Sequence, residues 1–204
     1  MKICGVRTAD DAARLVDRGV DALGVNFWPE SKRYLSDGEA AWLASMKDRI
    51  LRVGVFVNES PDLPLRLFRD GWIDLVQLHG DEAPADAAVF VREGVPFLKA
   101  VGVAAASNLE VAATYQADGV LLDAHAPGVY GGTGEPFDWN RAVDFQQTHP
   151  DIPLLLAGGI TPENAAEAAG FVRPCALDVA SGAEVAPGVK DMEKVDALMK
   201  ALGR

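Results

Sequence analysis

The sequence predicts an α/β fold: a single (β/α)8 barrel of the TIM type, with residues 1–204 forming one catalytic domain. Three observations carry this. Short apolar runs rich in Val, Ile and Leu alternate with polar, Ala-rich stretches of helical spacing. Each run is too short for a helix and too uniformly apolar for a strand with one wet face, so it reads as a strand buried on both faces of a parallel sheet. The runs number eight, and an even spacing of roughly 25 residues per strand–helix unit suits closure into one barrel.

In order, the runs lie near residues 1–4, 21–27, 50–57, 73–78, 96–101, 119–123, 152–157 and 175–180. Gly19, Gly71 and Gly119 precede three of them, where a helix C-cap requires positive φ. Thr8 with Asp11, and Ser36 with Glu39, fit the capping box that opens a helix. Thr161-Pro162-Glu163 sets a cap residue before a proline at the first helical position. A doubly wound open sheet is the alternative, but its first turn carries a glycine fingerprint; here that turn reads Cys4-Gly5-Val6-Arg7-Thr8. The longest loop, Ala124 to Asp138, contains Pro127, Gly128, Gly131, Gly132 and Gly134. A long glycine-rich loop in a compact domain is often a lid.

Composition narrows the function. No stretch approaches the roughly 18 apolar residues of a bilayer span. Met1-Lys2-Ile3-Cys4-Gly5 has no apolar h-region, so no signal peptide, a cytoplasmic location and no membrane partner are expected. The net charge of −11 repels phosphate backbones and no Lys/Arg run offsets it, so nucleic acid is not an expected partner. An anionic substrate would have to be drawn in by local cations and backbone N–H groups. Cys4 and Cys175, the two cysteines, lie in no CxxC motif and HxxxH is missing, so neither a disulfide framework nor a metal site is indicated.

Barrels of this kind keep their chemistry at the C-terminal ends of the strands. That rule selects Cys4, Arg33, His79, Asp123, Gly158-Gly159 and Ser181-Gly182. The last two pairs place backbone N–H groups beside helix starts after strands seven and eight, a setting that binds phosphate; otherwise the glycines only make tight turns. Cys4 is either a small buried hydrophobe or, with its pKa lowered toward 7, a general base. Asp123 either caps the loop that follows or acts as a general acid, which requires a raised pKa. Arg33 is either a solvated surface residue or a bidentate anchor for a carboxylate. His79 either packs its loop or touches substrate. Cys175 falls at the opposite end of its strand and reads as core packing.

Eight motifs in order are similar to those of the phosphoribosylanthranilate isomerase family. They are Lys2-Ile3-Cys4-Gly5, Ser31-Lys32-Arg33-Tyr34, Val53 to Asn58, Gln77-Leu78-His79-Gly80, Leu122-Asp123, Gly131 to Gly134 with Phe137-Asp138-Trp139, Ala157-Gly158-Gly159 with Pro162-Glu163-Asn164, and Asp178-Val179-Ala180-Ser181-Gly182. Departures are few: Arg7 stands where Thr is frequent and Ala180 where a second Ser is frequent. The resemblance implies an Amadori rearrangement in tryptophan biosynthesis without metal or organic cofactor. It implies Asp123 as general acid, Cys4 as general base, and Arg33 as the anchor of the substrate carboxylate. Gly158, Gly159, Ser181 and Gly182 would hold the phosphate, with Asp178 near the sugar hydroxyls and Gln77 and His79 lining the mouth. A small phosphorylated molecule is the expected partner, and a monomer is expected rather than a homodimer. The related isomerase of histidine biosynthesis carries Asp at the end of strand one and an internal two-fold repeat; this chain has Cys4 there and no visible repeat. A non-catalytic barrel that binds phosphorylated ligands is the remaining alternative.

The barrel register sets Cys4 and Cys175 at opposite ends of neighbouring strands, on the order of 15 Å apart at about 3.3 Å rise per residue. Non-reducing mass spectrometry should therefore find no Cys4–Cys175 bridge, and finding one would overturn that register.

Overall fold

The computed structural model describes residues 1–103, 106–124 and 138–204. Eight parallel strands close a barrel in sequential order. They are β1 (Lys2–Cys4), β2 (Ala22–Asn26), β3 (Leu51–Phe56), β4 (Leu75–Leu78), β5 (Phe97–Gly102), β6 (Gly119–Asp123), β7 (Leu154–Leu156) and β8 (Ala176–Val179). Each falls within, or one residue beyond, the apolar run that predicted it. The helices outside the ring are α1 (Ala9–Asp17), α2 (Asp62–Arg69), α3 (Pro84–Glu93), α4 (Ala106–Ala112), α5 (Asn140–Thr148), α6 (Ala165–Val172) and α7 (Met192–Ala201). The connection between β2 and β3 is a 3-10 helix, Glu39–Met46. Among the described residues no helix is long and apolar enough to cross a membrane. The glycine-rich loop considered as a lid falls, from 125 to 137, outside the described residues.

Strand alternation creates two cores. Outward residues such as Ile3, Leu23, Val76, Val120, Leu122 and Leu156 pack beneath the helices. Inward residues Leu98, Ala100, Leu121, Leu155 and Ala157 fill the barrel from the β5–β7 side, with Leu75 and Ala176 against them. The β1–β2 side is lined differently. Lys2 and Cys4 alternate with outward Ile3 and so point inward, opposite Gly24.

Local signals were met unevenly. Thr8 caps α1 by accepting from the Asp11 amide, as expected. Ser36 and Glu39 also bond reciprocally, side chain to amide in both directions, but the helix they open is the 3-10 one. Gly19 and Gly71 have φ of +69° and +71°. Gly119 does not; it opens β6, and Gln116 takes the left-handed position at φ +54°. At 119 the constraint is space: a Cβ there would lie 3.0 Å from the Pro153 carbonyl oxygen, tighter than an ordinary contact. Thr161 does not cap α6 with its side chain. Its carbonyl accepts from the Asn164 and Ala165 amides, and α6 starts at Ala165 after that turn. A hairpin that was not expected, β9 (Glu184–Ala186) and β10 (Val189–Lys190), follows β8 and turns at Gly188, φ +81°.

Arg52 on β3 is 1% exposed and is the most heavily bonded buried cation outside the barrel. Its Nε and Nη2 grip Asp74 at 2.9 and 2.5 Å, and Nη1 donates to the Leu43 and Gly71 carbonyls at 3.1 and 2.7 Å. Arg52→Leu removes the donors of two sheltered carbonyls and leaves Asp74 without its cation. We expect a loss of about 3 kcal/mol in urea unfolding with kcat unchanged. An unshifted midpoint would deny the network its role.

Candidate active site

At the C-terminal rim the site forms around two inward residues, Cys4 at the end of β1 and Asp123 at the end of β6. Asp123 follows inward Leu121 by two residues and so shares its face.

Lys2, one inward position below Cys4, donates to Asp178 Oδ1 at 2.8 Å, with side chains only 2% and 7% exposed. The two are also Cα partners across the β1–β8 seam. Gly24 keeps this corner open: a Cβ there would sit 2.8 Å from Cys4 Sγ and 3.1 Å from Lys2 Nζ. Sulfur and ammonium therefore border the same small space. Burial pushes the Cys4 thiol above its ordinary value, and Asp178 pushes it the same way; Lys2 and Lys190 pull it down without reversing the shift. The expectation of a thiol lowered toward neutrality is thus corrected, because desolvation outweighs the cations. Burial pulls Lys2 down, but Asp178 and the sulfur leave its ammonium above the usual lysine range.

A second cluster flanks Cys4. Arg33, in the loop after β2, lies against Gly5, where φ is +78° and a Cβ would meet Arg33 Cδ at 2.3 Å. Its guanidinium is gripped by Glu184, with Nε at 2.9 Å from Oε1 and Nη2 at 2.6 Å from Oε2. Lys190 Nζ bonds both Glu184 Oε1, at 2.6 Å, and the Cys4 carbonyl, at 2.5 Å. Burial acts to raise the Glu184 pKa, but Arg33 and Lys190 hold it below the ordinary carboxylate value. Arg33 is therefore no solvated surface residue, and the carboxylate that holds it in this geometry is the protein's own. Its Nη1 has no partner among the described residues.

At the end of β6, Asp123 is 7% exposed. Its Oδ1 accepts from the Ala124 amide at 2.8 Å, and Oδ2 lies 3.4 Å from His79 Nε2. Gln77, fully buried, reaches His79 Nδ1 at 2.8 Å. These two contacts hold the imidazole ring between Gln77 of β4 and Asp123 of β6.

The paired glycines stand where expected. Gly158 and Gly159 have φ of +79° and +66°, and a Cβ on Gly158 would strike the Ala124 amide nitrogen at 2.5 Å. Gly182 packs directly on this loop, because a Cβ there would lie 2.0 Å from the Ile160 carbonyl oxygen. Asn164 clamps the turn, accepting from the Thr161 amide at 2.8 Å and donating to the Gly159 carbonyl at 2.9 Å. A trans peptide then aims the Ile160 N–H away from Asn164, and neither it nor the Gly159 N–H donates to a group among the described residues.

Cys175 is the outlier. Both cysteines are free, but Cys175 is exposed, so the core-packing reading fails: it precedes β8 on the barrel's outer end. Lys2, Glu184 and Lys190 were missed. Lys2 was legible as the inward residue before Cys4. The Pro187-Gly188 turn marked the hairpin that supplies the other two.

Fold and site together define a (β/α)8-barrel enzyme with its titratable groups at the C-terminal rim. The model of the N-(5'-phosphoribosyl)anthranilate (PRA) isomerase family matches residues 1–201, and the chain belongs to that family. A relative from Myxococcus xanthus, an N-(5'-phosphoribosyl)anthranilate isomerase, is 44% identical over 206 residues, covering 98% of this chain and 94% of the relative. The crystal structure of phosphoribosyl anthranilate isomerase from Thermotoga maritima superposes with a TM-score of 0.88 at 37% identity, covering 100% of this chain and 98% of that one. A phosphoribosyl anthranilate isomerase in complex with reduced 1-(o-carboxyphenylamino)-1-deoxyribulose 5-phosphate gives 0.85 at 36% identity, with the same coverage.

Proposed function

We propose that this chain rearranges N-(5'-phosphoribosyl)anthranilate to 1-(2-carboxyphenylamino)-1-deoxyribulose 5-phosphate in tryptophan biosynthesis, with Asp123 as general acid and Cys4 as general base. One observation carries the assignment of roles: in a member of this family, a thiol and a carboxyl end strands β1 and β6 on the barrel's inner face.

The protonated Asp123 gives its proton to the furanose ring oxygen; the C1–O bond breaks and the nitrogen lone pair forms the Schiff base. The Cys4 thiolate takes the proton from sugar C2, and the electron pair moves to give an enolamine. Tautomerisation to the ketone completes an internal oxidation and reduction that consumes nothing. Proton exchange restores both groups. Arg33 offers its Nη1 edge to the anthranilate carboxylate. The amides of the Gly158-Gly159 turn and of Ser181-Gly182 hold the phosphate, Asp178 reaches the sugar hydroxyls, and Gln77 and His79 line the mouth. Anchoring both anionic ends fixes C2 between acid and base. Our reading of the solution state is a monomer, although a Thermotoga maritima relative is described as dimeric.

Loss of the substrate's fluorescence in a coupled assay measures turnover. Cys4→Ala and Asp123→Asn should each lower kcat by on the order of 10²–10⁴, and Arg33→Ala should chiefly raise KM. Wild-type turnover in either of the first two removes that residue from the mechanism, and an unchanged KM in the third removes the anchor.

The pH profile follows from the Cys4 shift. A carboxyl ordinarily titrates below a thiol, yet the working form needs the carboxyl protonated and the thiol ionised. Between the two pKa values the product of those fractions is flat; above the higher it falls. The alkaline limb of kcat/KM, a macroscopic property of the pair, should therefore descend with a midpoint above the ordinary thiol range. A midpoint near neutrality would contradict this.

A further inference from the structure

Besides Cys4, seven ionisable side chains make up this site, and they are not equivalent. From the β9–β10 hairpin, Lys190 rests on the Cys4 carbonyl rather than the sulfur, and Glu184 holds it at 2.6 Å. Arg33, from the loop after β2, is gripped by the same Glu184. Asp123 at the end of β6 and His79 after β4 face each other. That leaves Lys2 on β1 and Asp178 on β8. Lys2 is 2% exposed, and its ammonium carries three N–H donors. One goes to Asp178 at 2.8 Å. The space beside it, which any side chain at position 24 would fill, is bounded by Cys4 Sγ on one side and Lys2 Nζ on the other. Lys2 and Asp178 are buried and Cys4 is partly so, which places a charge on sulfur at short range from the ammonium.

We propose that Lys2 is the counter-ion of the Cys4 thiolate, and that Asp178, by its claim on the same ammonium, limits how much of that charge the sulfur receives. Lys2 is a positioning residue in this reading, which rests on Cys4 as the base. When C2 gives up its proton, the sulfur becomes neutral and the ammonium returns wholly to Asp178. The carboxylate thus keeps Lys2 paired in both protonation states, and no buried cation is orphaned during the cycle.

The test reads the thiol directly. Cys175→Ser protein labelled with carbon-13 at cysteine Cβ gives one NMR titration, that of Cys4. Lys2→Met should raise its midpoint by roughly one to three pH units, the usual effect of losing an opposite charge at close range. Asp178→Asn should lower it. Lys2→Met alone leaves Asp178 buried and unpaired and could prevent folding, so the double variant Lys2→Met/Asp178→Asn, which carries neither charge, completes the set. It should titrate above Asp178→Asn and below Lys2→Met. A double variant that titrates with Asp178→Asn, or two single variants that move the thiol in the same direction, would overturn the proposal. The alkaline limb of kcat/KM should follow the same order. Midpoints that move while that limb stays still would keep Lys2 as counter-ion and remove Cys4 as the base.

Discussion

The barrel closes across a single seam, and the residues that meet there are charged. Lys2 and Asp178 are Cα partners between β1 and β8, and their side chains form an ion pair inside the ring. Burying two charges gives back little net stability, because desolvation cancels most of the attraction. What the pair does supply is register. A one-residue slip of β1 would turn Lys2 outward into the apolar layer beneath the helices, leave Asp178 unpaired, and bring Ile3 into its place. The same slip would turn Cys4 away from the pocket. The interaction that fixes closure thus also fixes where the sulfur points.

It also explains how a chain of net charge −11 presents a cationic corner. Around Cys4 lie Lys2, Arg33 and Lys190 against Asp178 and Glu184: three cations and two carboxylates, all but Arg33 under 9% exposed. One positive charge is left over at short range in a poorly screened pocket, whereas the negative surface acts through water and salt. An anion already at the mouth therefore feels the corner more than the surface. Backbone amides of the Gly158-Gly159 turn add to this without adding charge, since Asn164 draws the Gly159 carbonyl to the other side.

Much of this was legible in the chain. A strand buried on both faces is mostly apolar, so β1 to β8 announced themselves by composition, and the strand-end rule then selected Cys4 and Asp123. The losses have physical causes. Gly119 has the sequence setting of a cap, but its constraint is the Pro153 carbonyl, a neighbour distant in sequence. Cys175 begins its strand one residue outside β8, and a shift that small separates core from surface. Glu184 and Lys190 sit on two short strands of three and two residues, below any periodicity signal. Arg33 was visible as a cation but not as one already held, because ion pairing 151 residues away leaves no local trace.

A thiol suits this corner better than the more common carboxylate base would. Position 4 faces Asp178 and lies beside a cation already committed to it. A carboxylate there would be ionised at rest, adding a second buried anion to one ammonium, and the pair would push each other's pKa upward. A thiol rests neutral. It adds no charge to a desolvated site until the substrate's C2 proton is ready to move, and it fits the space that Gly24 leaves open, which a larger group would overfill. The raised thiol pKa belongs to the same logic: the thiolate is scarce, but the desolvation that makes it scarce also makes it a stronger base toward carbon. The ammonium of Lys2 sets the balance between those two effects.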